Sequence, residues 1–243
     1  MANRPHNQIE IQSKNYQTFF FTKKIYRSVF LFIFALEMNE TLSKSERTRQ
    51  FIIEKTAPIF NMKGYVGTSM ADLTEATGLT KGSIYGNFKD KEEVALAAFY
   101  HNAKIRESAI SSRINAAKTY TEKLLVFAVI FNSKNNHIFP KGGCPLLNTG
   151  TEADDTHEDF RKAVSAELLQ WKKDIATIIK KGISAGEFRR DVVIEQTALS
   201  IIALVEGGIF VAQSIKNPAF LDIVLETIKD IVYNIAVDKK KEK

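Results

Sequence analysis

Residues 78–91 read GLTKGSIYGNFKDK, with three glycines and three lysines in fourteen positions. They lie between two segments whose apolar residues recur at helical spacing. Glycine inside a helix is unfavourable by roughly 1 kcal/mol relative to alanine. A helix that keeps glycines beside clustered cations therefore has another use for the space. Two short helices joined by a tight turn containing Gly form a helix-turn-helix pattern. Residues 70–77 supply the first helix, Gly78 and Leu79 the turn, and residues 80–88 the second. Leu73, Leu79, Ile84 and Phe88 fill the small core beneath them, and Ile84 and Phe88, four apart, share one face. Lys81, Gly82, Ser83, Tyr85 and Asn87 are left for the other faces. A cation, a residue without a side chain, a hydroxyl, a phenol and an amide suit phosphates and base edges, with the start of the second helix nearest the major groove.

Outward from this motif the chain keeps a helical period. Ile52, Ile53, Ala57 and Phe60 mark one apolar face of a helix beginning near Ser45, with Pro58 bending its end and Gly64 and Gly67 as stop signals. Thr68 or Ser69 caps the first motif helix, and Asp90 caps a longer one with Val94, Ala97, Ala98, His101 and Ile105 on one face. Residues 119–134 form a further helix, followed by a polar loop to Pro140. Residues 141–156, KGGCPLLNTGTEADDT, are the least regular part. Residues 157–188 form a long amphipathic helix stopped at Gly186, residues 192–215 are apolar on more than one side, and residues 218–237 close the chain. No period-two strand pattern stands out. The expectation is an all-α protein of nine or so helices after residue 44.

Charge divides the 243 residues unevenly. The net charge is +6, and residues 41–91 carry eight Lys/Arg against five Asp/Glu, whereas residues 92–237 carry seventeen against eighteen. A basic segment of this length on a near-neutral body fits a polyanion-binding head on a differently employed body. The expected organisation is a helix-turn-helix domain over 45–92, an effector-binding and dimerisation domain over 93–237, and a basic tail over 238–243. Residues 1–44 are an extra N-terminal extension. Its apolar run at 29–36 follows Lys23, Lys24 and Arg27 as in a signal sequence, yet no small-x-small cleavage site follows and the run is short for a bilayer span. A natural start at Met38 is the favoured reading; a membrane tether over 16–37 is the rival. The single cysteine, Cys144, excludes an intrachain disulfide and fits a reducing cytoplasm.

At the motif, GLTKGSIYGNFKDKEEV resembles the recognition-helix signature of the tetracycline-repressor (TetR) family of bacterial regulators. The resemblance extends back through RTRQFIIEKTAPIFNMKGYVGTSMADLTEATG and covers about residues 45–100. It implies a homodimer on double-stranded operator DNA with inverted half-sites, released when a small molecule enters the helical body. On this reading Thr68 bonds a phosphate through its hydroxyl, Lys81 donates to guanine or phosphate, and Gly82 and Ser83 approach the bases. Tyr85, Lys89 and Lys91 hold the phosphate backbone, which sets register rather than sequence. Asn87 stands where many members carry His, and its amide still donates. The common mode is repression; activation is the other sign.

In the body, Ala198, Ile201, Ile202, Val205 and Ile209 suit one face of the 192–215 helix, and Leu204, Val211 and Ile215 another. A second apolar face fits another subunit, with Gly207 and Gly208 allowing close approach, so the last two helices are the expected homodimer seam. Candidate effector contacts are Phe127, Phe131, Leu147, Phe160, Trp171 and Phe210. Glu206 is either a polar anchor for a ligand or a polar contact of the seam. Cys144, beside Lys141 and at a loop or helix start, is a candidate redox or electrophile switch if its thiol is acidified, or else a small buried hydrophobe. Similar GC-x-L-x-N segments occur in some members of the family, including ones that respond to electrophiles. His6, His101, His137 and His157 form no metal-spaced pair, and no phosphate loop or nucleophile elbow occurs. Asp154, Asp155, Glu158 and Asp159 suit a solvated helix start. No enzyme, metal or cofactor is expected.

Overall fold

The computed structural model of the protein describes residues 43–153 and 157–237. The expectations for Met38, the 29–36 run, the basic tail, Asp154 and Asp155 lie outside the described residues. The chain divides into units 1–50 and 51–243. Of the first, only the opening of helix α1 is described, where Ser43 and Glu46 cap each other reciprocally: the Ser43 N–H donates to Glu46 at 2.8 Å and the Glu46 N–H to Ser43 Oγ at 3.2 Å.

The described residues form nine α-helices and no strand: α1 Lys44–Lys63, α2 Met70–Thr77, α3 Lys81–Tyr85, α4 Lys91–Ala116, α5 Tyr120–Ile130, α6 Pro145–Ala153, α7 Glu158–Ser184, α8 Ile194–Ile215 and α9 Ala219–Ile235. The fold is all-α, as expected. A 3-10 turn over Ser133–Ile138 stands where a polar loop was expected. Capping chemistry starts the helices where the sequence placed them. Ser69 and Asp72 form a capping box on α2, Thr80 caps α3, Asp90 caps α4, and Thr119 and Glu122 form a second box on α5.

Two hydrophobic clusters organise residues 51–237. The first, here the head, joins Ile52, Ala57, Phe60, Leu73, Ile84, Phe88, Val94 and Ala98, with Ala153 and Phe160 beneath. The second, the body, runs from Phe99 to Ile235 and includes Phe127, Trp171, Ile175, Ile201 and Leu225. Each fully buried large apolar side chain contributes roughly 1.5–3 kcal/mol. In the body, α8 packs most extensively on α9, and α9 on α5. Gly208 permits the first contact, since a Cβ there would lie 2.9 Å from Leu221 Cδ1. Gly207 faces open space, so the glycine pair divides its roles.

Three expectations need correction. The second motif helix is shorter than 80–88: it ends at Tyr85, and Gly86 turns the chain so that Phe88 N–H still reaches Ile84 C=O. Helix α4 buries Val94, Ala95, Ala98, Phe99, Asn102, Ala103, Arg106 and Ile110, so its inner face is rotated away from His101 and Ile105. Two polar residues on the inner face hid its period. Residues 145–153 are helical despite Gly150, because Pro145 is well placed at a first helical position and Val164 of α7 packs 3.3 Å from where a Gly150 Cβ would sit. Among the described residues, α8 is long and apolar enough to cross a membrane by length and composition, a test that the core helix of a globular protein also passes. One face of it, Ala198, Ile201, Ile202, Val205 and Ile209, is buried in the body core.

Candidate nucleic-acid interface and interior cavity

The head presents a short helix on a closed core. Gly78 ends α2 at φ 67°, in the left-handed region that favours glycine, and its N–H donates to Thr74 C=O. Thr77 Oγ1 donates to Leu73 C=O, and Leu79 N–H donates back to Thr77 Oγ1 at 3.2 Å, which fixes the turn. Ile84 and Phe88 are buried under α3, while Lys81, Gly82 and Tyr85 are exposed and Ser83 is half-buried. Lys81 Nζ stands 5.7 Å from the Tyr85 ring. A Cβ at Gly82 would meet nothing nearer than Thr80 Oγ1 at 3.9 Å. The fold itself therefore has room for a side chain at Gly82. The Lys89 side chain is 87% accessible, and its Nζ lies 3.9 Å from Asp90.

Three of the expected DNA contacts are engaged within the chain. Thr68 is fully buried and its hydroxyl donates to Gly64 C=O at 2.6 Å, so Ser69 caps α2 instead. Lys91 Nζ donates to the carbonyls of Tyr65 at 2.8 Å and Thr68 at 3.0 Å and sits 4.1 Å from the Tyr65 ring centre. It clips α4 to the turn before α2. Asn87 donates to Ser83 C=O at 2.9 Å. Lys63 and Ser69 hold the Asp72 carboxyl well below the usual carboxylate range. Lys81, Gly82, Ser83, Tyr85 and Lys89 are the motif residues left facing outward.

The body encloses a cavity of ≈ 230 Å³ whose lining includes Phe131, Phe139, Cys144, Ile209 and Leu221 together with Arg106, Gln213 and Lys216. A second cavity of ≈ 320 Å³ lies between α4 and α7 and is lined by Phe127 and Trp171, by Arg106 again, and by Glu107, Glu167 and Asp174. Of the expected effector contacts, Phe131 lines the first and Phe127 and Trp171 the second. Leu147 is half-buried against the body core and lines neither. Phe160 belongs to the head, packed 5.3 Å from the Tyr65 ring and 5.1 Å from His157. Phe210 is 57% exposed and lines neither cavity. Periodicity misplaced it because α8 carries apolar residues on both faces.

Cys144 is buried where α6 begins, and its thiol donates to Glu206 Oε1 at 3.0 Å. Burial first, and then the Glu206 charge, push the thiol up to about 12. This is the reverse of the acidified thiol that a redox switch needs. Burial likewise pushes Glu206 up, against the Cys144 hydrogen bond and the Arg106 charge. Arg106 went unrecognised in the sequence. It is 3% exposed, stacks 3.8 Å over the Trp171 ring, and has no hydrogen-bond partner for Nε or Nη2 among the described residues. A buried unsatisfied polar group costs about 1–3 kcal/mol, and more when charged. The one sequence signal is that Asn102 and Arg106 continue the every-fourth-residue row of Val94, Ala98 and Ile110.

Helix α6 joins the cavity to the head. Gly143, Cys144 and Pro145 line the cavity at its start. Near its end, Glu152 accepts from the N–H groups of Tyr65 at 2.7 Å and Val66 at 2.8 Å, in the turn that leads into α2. Asn61 of α1 donates to Lys141 C=O at 2.7 Å and Gly143 C=O at 3.0 Å. Gly142 and Gly143 both have φ near +97°, at 95° and 99°, and a Cβ on Gly142 would meet Asn61 O at 3.0 Å, so glycine is required there. None of these contacts has a short-range signature in the sequence.

Comparison with known proteins points in one direction. A model of the bacterial tetR-family regulatory proteins matches residues 52–98, and one of the tetracycline-repressor-like C-terminal domain matches residues 121–228. The crystal structure of a TetR-family transcriptional regulator from Cytophaga hutchinsonii is 55% identical with a TM-score of 0.79, over 82% of this chain and 99% of that one. The HTH-type transcriptional repressor DhaR of Mycobacterium sp. (strain GP1) is 27% identical over 194 residues, 77% of this chain and 96% of DhaR. At 23% identity and a TM-score of 0.64, over 74% of this chain and 94% of that one, the regulator CifR, solved on a 26-base-pair double-strand operator DNA, shares the fold.

Proposed function

The chain belongs to the TetR family of transcriptional regulators, and from that premise we propose that it is a repressor that grips an inverted-repeat operator as a homodimer and lets go when a small molecule fills the body. The observation that carries the DNA reading is the outward set Lys81, Gly82, Ser83, Tyr85 and Lys89 over the buried pair Ile84 and Phe88. With α3 in the major groove, Lys81 and Ser83 meet base edges or nearby phosphates, and Tyr85 and Lys89 meet the backbone. The bareness of Gly82, for which the free protein has no packing reason, lets α3 approach the base edges.

The second subunit is read from α8 and α9. Leu199, Phe210, Val211 and Ile215 on α8, with Ile223 and Tyr233 on α9, are exposed large apolar side chains. A second copy of the same two helices covers them in a self-complementary four-helix seam. Two heads held this way read two half-sites. A regulator of this kind works where the DNA is, in the cytoplasm.

Release follows from α6. A ligand in the 230 Å³ cavity bears on Gly143, Cys144 and Pro145, and α6 transmits the displacement through Glu152 to the Tyr65 and Val66 amides. The test is a gel shift with the DNA upstream of the protein's own gene. Tyr85→Ala is expected to abolish the retarded band while circular dichroism stays unchanged; full retention of affinity overturns the DNA assignment.

A further inference from the structure

The body interior holds a cation with nothing to grip. Arg106 Nε and Nη2 lack hydrogen-bond partners among the described residues, and the guanidinium acts on the nearby Glu167 and Glu206 through charge alone. Its guanidinium carbon sits 3.8 Å over the centre of the Trp171 ring, a cation–π contact that positions the group. An oriented donor fork of this kind matches a carboxylate, which takes two parallel N–H bonds.

Arg106 lines both cavities, and their charges differ. In the 320 Å³ cavity it faces Glu107, Glu167 and Asp174, three carboxylates to one cation. In the 230 Å³ cavity the charged lining residues are Arg106 and Lys216, two cations and no carboxylate. Glu206 is not among the residues lining this cavity; it accepts the Cys144 thiol and interacts with the Arg106 charge. An anion is therefore favoured in the 230 Å³ cavity and repelled from the 320 Å³ one. The remaining wall is apolar: Phe131 and Phe139 stack at 4.9 Å and 5°, and Ile209 and Leu221 face them. A dry cavity of about 150 Å³ holds benzene, so 230 Å³ accommodates one ring and a short acidic head.

We infer that the effector is a small organic carboxylate with an apolar, ring-sized body, its carboxylate paired with Arg106 in the 230 Å³ cavity. This rests on the effector reading above and narrows it to a ligand class. The charge of the head selects the ligand, and the apolar wall sets its size.

Phenylacetate, phenylacetamide and 2-phenylethylamine share a ring and differ in the charge of the head. Each is titrated into the full-length protein, with binding read from the fluorescence of Trp171, the single tryptophan, and from the melting temperature. Phenylacetate is expected to bind at least about tenfold more tightly than the amide, and the amine not at all. Arg106→Met is expected to fold, to melt no lower than wild type, and to lose the preference for phenylacetate over the amide. Arg106→Lys is expected to keep part of it. Equal binding of phenylacetate and phenylacetamide, absence of phenylacetate binding at millimolar concentration, or a preference that survives Arg106→Met overturns the inference; if that variant fails to fold, the three-ligand series on wild type decides. A parallel operator gel shift separates the two readings. Phenylacetate bound through Arg106 without release of DNA supports the anion site and overturns the inducer role. Release that persists in Arg106→Met places the effector elsewhere and leaves the regulator standing.

Discussion

Among the described residues, the head's buried polar side chains are hydrogen-bonded, whereas the body, beside the satisfied Asn102, holds several buried polar atoms that are not. In the head, Thr56, Asn61, Thr68 and Thr77 are buried, and each donates to a backbone carbonyl: Thr56 to Ile52, Asn61 to Lys141 and Gly143, Thr68 to Gly64, Thr77 to Leu73. The buried side-chain atoms without a partner among the described residues are Arg106 Nε and Nη2, Asn132 Oδ1, Trp171 Nε1 and Glu206 Oε2, all in the body. A satisfied interior is rigid and complete, so the head's chemistry sits on its surface, where DNA is the partner. An unsatisfied interior is less stable than it could be, by about 1–3 kcal/mol for each buried group left without a partner.

Three measurements break or sharpen this contrast. The largest effect concerns the body's interior. With its thiol pushed up to about 12, native Cys144 is expected to react with iodoacetamide at neutral pH on the order of a thousandfold more slowly than in the unfolded chain. Comparable rates in native and denaturing buffer, read by mass spectrometry, would reinstate a cysteine switch. Next comes the head's surface. Gly82→Ala meets open space, so the variant is expected to gain stability, by up to about 1 kcal/mol, yet to lose operator affinity on the order of tenfold. A variant that is both more stable and fully DNA-binding would show that the bare position serves no groove. The smallest effect tests the head's self-sufficiency. Ser69→Ala removes the cap of α2 and is expected to lower stability by about 1 kcal/mol, seen in a urea melt, with phenylacetate affinity unchanged; a change in that affinity would mean that the cap of α2, and not the Glu152 contact alone, is coupled to the cavity.

The head was legible because its determinants are close together in sequence. The Ser69–Asp72 box, the Gly78 turn, the Thr80 and Asp90 caps and the Ile84–Phe88 pair all lie within four residues of their partners. The site residues were less so. Lys91 and Thr68 looked free for phosphate, yet Tyr65, 26 residues away from Lys91, takes the first, and Gly64 takes the second. Phe210 looked like a cavity wall, and α8 turns it outward. Arg106 drew no attention, since an arginine in a helix is ordinarily on the surface.

By itself the amino-acid order determined most of the helices and their caps, the helix-turn-helix and the basic bias of the region around it, because each depends on spacings of one to four residues or on charge. Only the tertiary structure decided which face of α4 is inside, that Cys144 meets Glu206 across 62 residues, and that Glu152 holds the Tyr65 amide across 87. Such pairs have no period to read. They form where packing of the apolar faces brings distant segments together, and their energies are set by the loss of water at the contact, a quantity that no local spacing contains.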